Sequence, residues 1–104
     1  ARLISQAGDK IVGMCTAQTR ISTASGRVTA VLEDLVVDAS CRGMGVGTAL
    51  LNAMEQWAGQ MGIEQLSLLA DVENSPALSF YKGHQWQRTQ LVCLTKKTAG
   101  IPEI

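Results

Sequence analysis

The sequence has 104 residues, of which 46% are hydrophobic and 17% are charged, and this composition is that of one globular domain. Nine basic and nine acidic side chains balance, so no net charge draws the chain to nucleic acid or to a membrane surface. Two Trp, one Tyr and one Phe are too few for a base-stacking surface. We therefore expect a single domain over residues 1–104 with neither nucleic acid nor membrane as a partner.

The three cysteines, Cys15, Cys41 and Cys93, are scattered and odd in number, which excludes a disulfide framework and a CxxC metal pattern. We interpret them as free thiols in a reducing compartment, so the sequence predicts a cytoplasmic protein without a metal site. A nucleophile at Cys41 is conceivable, but the only histidine, His84, is far away in sequence, which favours a small loop residue. No signal-peptide pattern or membrane-length apolar run is present.

The first third of the chain predicts three strands joined by short connections. Gly8-Asp9 is a turn signal, and Gly13 marks a weak point or bulge in the second strand. Short connections between successive strands predict an antiparallel meander. The predicted strands cover residues 2–5, 10–21 and 28–37, with a polar loop at 22–27.

Apolar residues at helical spacing predict a long helix over residues 46–61, for which Gly62 is a suitable C-terminal cap. A further strand is predicted over residues 65–70. The helix is then a crossover connection, which makes this strand a parallel neighbour of the strand at 28–37.

Ser75-Pro76 predicts the start of a short helix that runs to about Lys82, because Ser is a good N-cap and Pro suits the first helical position. A last strand is predicted over residues 86–96, followed by a tail from 98 to 104. The fold class is therefore α+β, with a mixed sheet.

The segment Arg42-Gly43-Met44-Gly45-Val46-Gly47 predicts a phosphate site. Glycine lets the backbone come close to a ligand, and a helix that begins here directs free N–H groups and its positive dipole end outward. A Walker loop is excluded, because no lysine precedes Thr48. A dinucleotide fingerprint is disfavoured, because it needs a third glycine at Thr48 and usually follows the first strand of its fold.

Arg42, Gly45 and Gly47 fit the pattern Arg/Gln-x-x-Gly-x-Gly/Ala, and here the chain resembles the GNAT superfamily of N-acetyltransferases. Asn74, seven residues ahead of Tyr81 in a short helix, resembles the second signature of that family. The resemblance implies a GNAT-like fold, an antiparallel meander followed by a β-α-β crossover, a short helix and a final strand, and acetyl-CoA as cofactor. The family usually opens with a strand and two helices that this sequence lacks, so N-terminal truncation is one interpretation.

Through this resemblance, backbone amides from Met44 to Thr48 are expected to hold the pyrophosphate, with the charge of Arg42 nearby. The pantetheine arm is expected between the two parallel strands, and Asn74 is expected to bond the cofactor. Alternative roles are a solvated side chain for Arg42 and a turn residue for Asn74. The expected cofactor-binding residues are Leu35, Val36, Val37, Arg42, Gly43, Met44, Gly45, Val46, Gly47, Thr48 and Asn74.

The resemblance also implies two catalytic side chains. Tyr81 is expected to protonate the departing thiolate, with a packing role as the alternative. Glu33 is the leading general base, because strand alternation groups it with Val31, Leu35 and Val37 on one face, where a partly buried carboxylate suits that role. Alternatively, this carboxylate binds the substrate ammonium or forms a salt bridge, and water carries the proton.

The sequence thus predicts an N-acetyltransferase that moves acetyl from acetyl-CoA directly to a primary amine of a small molecule, without a covalent acetyl-enzyme. The competing hypothesis is a catalytically silent acetyl-CoA-binding module for sensing or assembly. A homodimer is also expected, because the apolar last strand, with Leu91, Val92 and Leu94, is suited to pairing across chains.

Overall fold

A four-stranded mixed sheet and two helices form the protein, in a computed structural model that describes residues 1–21 and 26–100. The strand order is β1-β2-β3-β4; the first two pairs are antiparallel and the third is parallel. The predicted meander, crossover and fold class are therefore confirmed, while positions 22–25 of the predicted loop and 101–104 of the tail lie outside the described residues. The strands are β1 (Arg2–Ala7), β2 (Lys10–Ile21), β3 (Val28–Val37) and β4 (Gln65–Leu68).

The crossover helix α1 (Val46–Gln60) covers one face of the sheet. Its apolar stripe buries Leu51 and Met54, which pack with Cys15 of β2 as the largest fully buried side chains. Gly13 allows this close approach, because a Cβ there would lie 2.9 Å from Cγ1 of Val46. Burial of Leu51 and Met54 supplies a large share of the stability, since each such side chain contributes roughly 1.5–3 kcal/mol.

Two bulges interrupt the sheet. The first places Val12 as an extra residue of β2 opposite β1, next to the weak point predicted at Gly13. The second places Glu33 as an extra residue of β3, because Asp34 pairs with Thr16 while Leu32 pairs with Ala17. An extra residue reverses the alternation of every side chain beyond it.

The bulge at Glu33 makes the predicted grouping of Val31, Glu33, Leu35 and Val37 on one face wrong. Directly opposed residues of an antiparallel pair share a face. Leu35 and Leu32 lie opposite the buried residues Cys15 and Ala17, whereas Val31 and Asp34 lie opposite Gln18 and Thr16. Leu35 and Val37 therefore turn to the α1 side, and Val31 turns to the other side.

The pairing of β3 with β4 ends at Leu32 and Leu68, immediately before the bulge. Residues 33–37 of β3 extend beyond the last paired residue of β4. The pairing of the two parallel strands therefore stops short of the carboxyl end of β3, and ligands of open α/β sheets commonly bind at this edge.

Both helices end in the same backbone motif. In α1, Gly62 takes a φ of 72° and the N–H of Ile63 donates to the carbonyl of Ala58. In α2 (Ser75–Gly83), Gln85 takes a φ of 70° and the N–H of Trp86 donates to the carbonyl of Tyr81. These are Schellman endings, in which glycine is the usual left-handed residue.

The last strand predicted over residues 86–96 is wrong, since residues 86–100 pair with no strand of the described sheet. Trp86 packs against the core, but Leu91, Val92 and Leu94 are 87%, 79% and 89% exposed. Apolar and β-branched residues fit a pleated surface but do not supply the partner that a strand requires. Within the described part of the chain, no helix has the length and apolar character to cross a membrane.

Candidate functional site

A cavity of about 680 Å³ lies where the end of β3, the glycine-rich loop and α2 meet. Its volume is within the range of small-molecule sites. It brings together Tyr81 and all predicted cofactor-binding residues except Met44 and Asn74, and it leaves out Glu33. The lining residues are Leu35, Val36, Val37, Cys41, Arg42, Gly43, Gly45, Val46, Gly47, Thr48, Ala77, Phe80 and Tyr81.

The glycine-rich loop presents unpaired backbone amides to this cavity. Gly43 and Gly45 take φ values of 78° and 84°, which favour glycine, and a Cβ at either position would meet no atom within 4 Å. The first hydrogen bond of α1 runs from the N–H of Ala49 to the carbonyl of Gly45 at 3.0 Å. The N–H groups of the preceding residues therefore have no acceptor within the helix, and the first turn has no acidic side chain to repel an anion.

Asp38 fixes the start of this loop. Its Oδ1 accepts from the backbone N–H and the hydroxyl of Ser40, at 2.9 and 2.7 Å, and its Oδ2 lies 3.4 Å from Nζ of Lys10. The Ser40 hydroxyl, then its N–H and then Lys10 lower the pKa of the Asp38 carboxyl to about 2. This role of Asp38 is not among those predicted from the sequence, although an Asp two residues before Ser at a strand exit is a known turn signal.

Arg42 lies at the edge of the cavity and remains exposed. Its Nε donates to the carbonyl of Val37 at 3.4 Å, which joins the loop to the end of β3. Arg42 thus lines the same cavity as the glycine-rich loop, and its role near a phosphate stays a prediction.

Tyr81 lies on the α2 side of the cavity, half-buried between two aromatic side chains. Its ring meets Phe80 and Trp86 edge-on, with centroids 5.4 and 5.7 Å away. Burial, with a smaller contribution from the Cys15 thiol, raises the pKa of the Tyr81 phenol above its ordinary value. The phenol therefore keeps its proton at neutral pH, as a proton donor must.

Glu33 lines a separate cleft of about 240 Å³, with Arg20, Val31, Leu32 and Leu69. The side chain is exposed, so the partial burial expected of a general base is wrong. The neighbouring Asp34 accepts a hydrogen bond from the Thr16 hydroxyl at 2.9 Å. The two predicted catalytic residues thus line different cavities.

Asn74 and Met44 lie outside the large cavity. The Oδ1 of Asn74 accepts from the N–H of Ala77 at 3.2 Å, so this side chain caps the start of α2. Met44 is 73% exposed. Asn74 therefore has the N-cap role that the sequence predicted for Ser75, which is instead the first residue of α2. A bond from Asn74 to the cofactor stays a prediction.

His84 connects the end of α2 to the start of α1. Its Nε2 lies 2.9 Å from Oγ1 of Thr48, and its Nδ1 lies 2.8 Å from the carbonyl oxygen of Phe80. Sequence reasoning missed this contact, because no local signal joins residues 36 positions apart. Both ring nitrogens are engaged, so His84 does not pair with the cavity residue Cys41.

The cysteines agree with the sequence analysis in being free: Cys15 is buried, Cys41 is half-buried and Cys93 is exposed. Among residues 1–21 and 26–100, no group of three or more His, Cys, Asp or Glu side chains is placed to hold a metal ion.

Comparison with known proteins finds acetyltransferases among the proteins similar to this chain. An uncharacterized N-acetyltransferase of Methanocaldococcus jannaschii is 35% identical over 72 residues, which are 69% of this chain and 32% of the relative. N-acetyltransferase family 8 member 2 of Rattus norvegicus is 28% identical over 100 residues, covering 94% of this chain and 44% of the relative. An aminoglycoside acetyltransferase from an uncultured soil metagenomic sample is 27% identical with a TM-score of 0.84, covering 93% of this chain and 64% of that one.

The chain thus spans between about one third and two thirds of the length of these relatives. The sequence model of the acetyltransferase (GNAT) family matches residues 2–85, which include every strand and both helices. On this match, the chain belongs to the acetyltransferase (GNAT) family.

Proposed function

We propose that the protein is an N-acetyltransferase that transfers acetyl from acetyl-CoA directly to a primary amine of a small molecule. The observation that carries the proposal is the large cavity, in which the unpaired amides at the start of α1, the free end of β3 and the phenol of Tyr81 meet. Members of this family generally use acetyl-CoA, and the glycine-rich loop and the large cavity fit such a donor.

The donor side is supported by two features of the cavity. The N–H groups of Val46, Gly47 and Thr48 suit the pyrophosphate, because a helix N-terminus favours negative charge. Residues 35–37 of β3, beyond the last pair with β4, suit the pantetheine arm, which carries amide groups that bond a free strand edge.

The proposed reaction forms the carbon–nitrogen bond of the amide and breaks the carbon–sulfur bond of the thioester. The amine nitrogen attacks the thioester carbonyl and loses a proton to a base, and the departing thiolate takes the phenolic proton of Tyr81. Proton transfer from the base through solvent then restores the phenol. A covalent acetyl-cysteine is not needed, since His84 bonds Thr48 and Phe80 and is not available to activate Cys41. Glu33 stays the proposed base. Because Glu33 lines the second cleft while Tyr81 lines the large cavity, the amine proton must reach this carboxylate through water.

The acceptor is proposed to be a small primary amine. The aminoglycoside acetyltransferase with a similar structure makes aminoglycosides a sensible first set of acceptors to assay. A cytoplasmic location and a homodimer remain predictions. Residues 86–96 form no strand in the described structure, so the remaining support for the dimer is the exposure of Leu91, Val92 and Leu94. Light scattering at micromolar concentration tests the dimer.

The test is release of free thiol from acetyl-CoA in the presence of an amine panel, in the unaltered chain and in Tyr81→Phe. Loss of the phenolic proton is expected to lower kcat about 10²-fold or more, with little change in CoA affinity. Turnover by Tyr81→Phe equal to that of the unaltered chain contradicts the role of Tyr81. Binding of CoA without turnover on any amine favours the silent binding module.

A further inference from the structure

The hydrogen-bond partners of His84 fix which of its ring nitrogens carries a hydrogen. Nδ1 faces the carbonyl oxygen of Phe80, which only accepts, so Nδ1 must be the donor. In the neutral ring, Nε2 then has no hydrogen. It accepts the hydroxyl hydrogen of Thr48 across 2.9 Å.

This arrangement decides what Thr48 can offer to a ligand. Thr48 is the third residue of α1 and lines the large cavity, where the unpaired amides are. While its only hydrogen is directed to neutral His84, the hydroxyl presents lone pairs to an anion. When the ring gains a proton, Nε2 donates to Oγ1, and the hydroxyl hydrogen is released to turn toward the cavity.

We propose that His84 is a positioning residue of the cofactor site, and that binding of a pyrophosphate at the first turn of α1 draws a proton onto His84 through the hydroxyl of Thr48. The proton comes from solvent, and no covalent bond forms or breaks in the ligand. This inference rests on the proposed function, because it takes the cavity to be the site of a CoA pyrophosphate.

The other ionisable groups around His84 do not supply the same response. Tyr81 and Lys82 flank it on α2, Cys15 of β2 lies beside Tyr81, and Arg42 and Cys41 line the cavity from the loop. Lysine and arginine ordinarily keep their charge between about pH 6 and 8, and thiols and phenols ordinarily stay protonated there. Histidine is the side chain that ordinarily changes charge in this range.

The test uses dephospho-CoA as the ligand, because the 3′-phosphate of CoA itself titrates near pH 6. Calorimetry at about pH 6 and pH 8 measures Kd, and calorimetry at about pH 7 in buffers of different ionisation enthalpy measures proton uptake. We expect binding about tenfold tighter at the lower pH, as a charge-assisted hydrogen bond would give, with uptake of a substantial fraction of one proton near neutral pH. Pantetheine, which lacks the pyrophosphate, should show neither effect.

Matched variants connect the effect to these two side chains. His84→Gln keeps a polar side chain that does not titrate, and Thr48→Val keeps the shape without the hydroxyl; both should abolish the pH dependence and the proton uptake. Thr48→Ser retains the hydroxyl and should retain both. If His84→Gln fails to fold, the two Thr48 variants decide the question.

Two outcomes overturn the inference alone: a Kd for dephospho-CoA that is equal at both pH values without proton uptake, or uptake that persists in His84→Gln. Either would leave the proposed cofactor site standing. No binding of dephospho-CoA at either pH by the folded, unaltered chain would overturn the cofactor site and this inference together.

Discussion

Replacement of Gln85 by glycine should stabilise the protein. Gln85 and Gly62 occupy the same position of two Schellman endings, with φ values of 70° and 72°, but only Gly62 is the residue type that this conformation favours. A non-glycine residue in the left-handed region destabilises the folded state by about 1–2 kcal/mol, and glycine removes this penalty. Part of the gain is offset, because glycine has greater conformational freedom in the unfolded chain. The net expected gain is about 1 kcal/mol.

The measurement is reversible thermal or denaturant unfolding of Gln85→Gly. A gain of 1 kcal/mol should raise the Tm of a domain of this size by roughly 5 °C and move the denaturant midpoint without changing the slope. The matched control is Gly62→Gln, which places the same residue type in the ending of α1 and should lower the Tm. A Tm of Gln85→Gly that is unchanged or reduced would show that the backbone at Gln85 is not strained.

Three further predictions concern the site and the core. Gly45→Ala should cost about 1–2 kcal/mol of stability, because alanine is strained at a φ of 84°, and it should weaken CoA binding at least tenfold, because the backbone that relaxes this strain turns the loop amides away from the cavity. The control Gly59→Ala, in the last turn of α1, should cost no stability. Burial, and then Asp34, raise the pKa of the Cys15 thiol from 9.0 to about 11, so the folded state holds a proton that the unfolded state loses. The contribution of Cys15 to the free energy of unfolding should thus be fully present below pH 9 and should fall by roughly 2–3 kcal/mol as the pH rises to about 11. Denaturant titrations of Cys15→Ala over this pH range should show a smaller loss of stability. Glu33→Gln should lower kcat about 10²-fold and Asp34→Asn should not; equal turnover by both variants would assign the proton to water or to another group.

Most of the fold follows from local patterns in the sequence. The apolar stripe of α1 and the β-branched strands predict the elements, and the short connections predict the meander. The spacing of Gly43, Gly45 and Gly47 predicts the anion-binding loop that lines the large cavity. These features depend on residues that are close together in the sequence, so they can be predicted from the sequence alone.

The remaining features depend on residues distant in sequence. The bulge at Glu33 is decided by how β3 pairs with Thr16 and Ala17 of β2, and this pairing, which alternation cannot predict, moves the carboxylate out of the expected face. The contact of His84 with Thr48 exists only because α2 ends beside the start of α1.

We propose that acetyl-CoA binds in the large cavity with its pyrophosphate at the start of α1. A crystal structure with CoA tests this most directly. We expect phosphate oxygens within about 3.2 Å of the backbone nitrogens of Val46, Gly47 or Thr48, and the thiol on the Tyr81 side of the cavity. CoA bound elsewhere on the protein, or with its pyrophosphate away from these amides, would contradict the account.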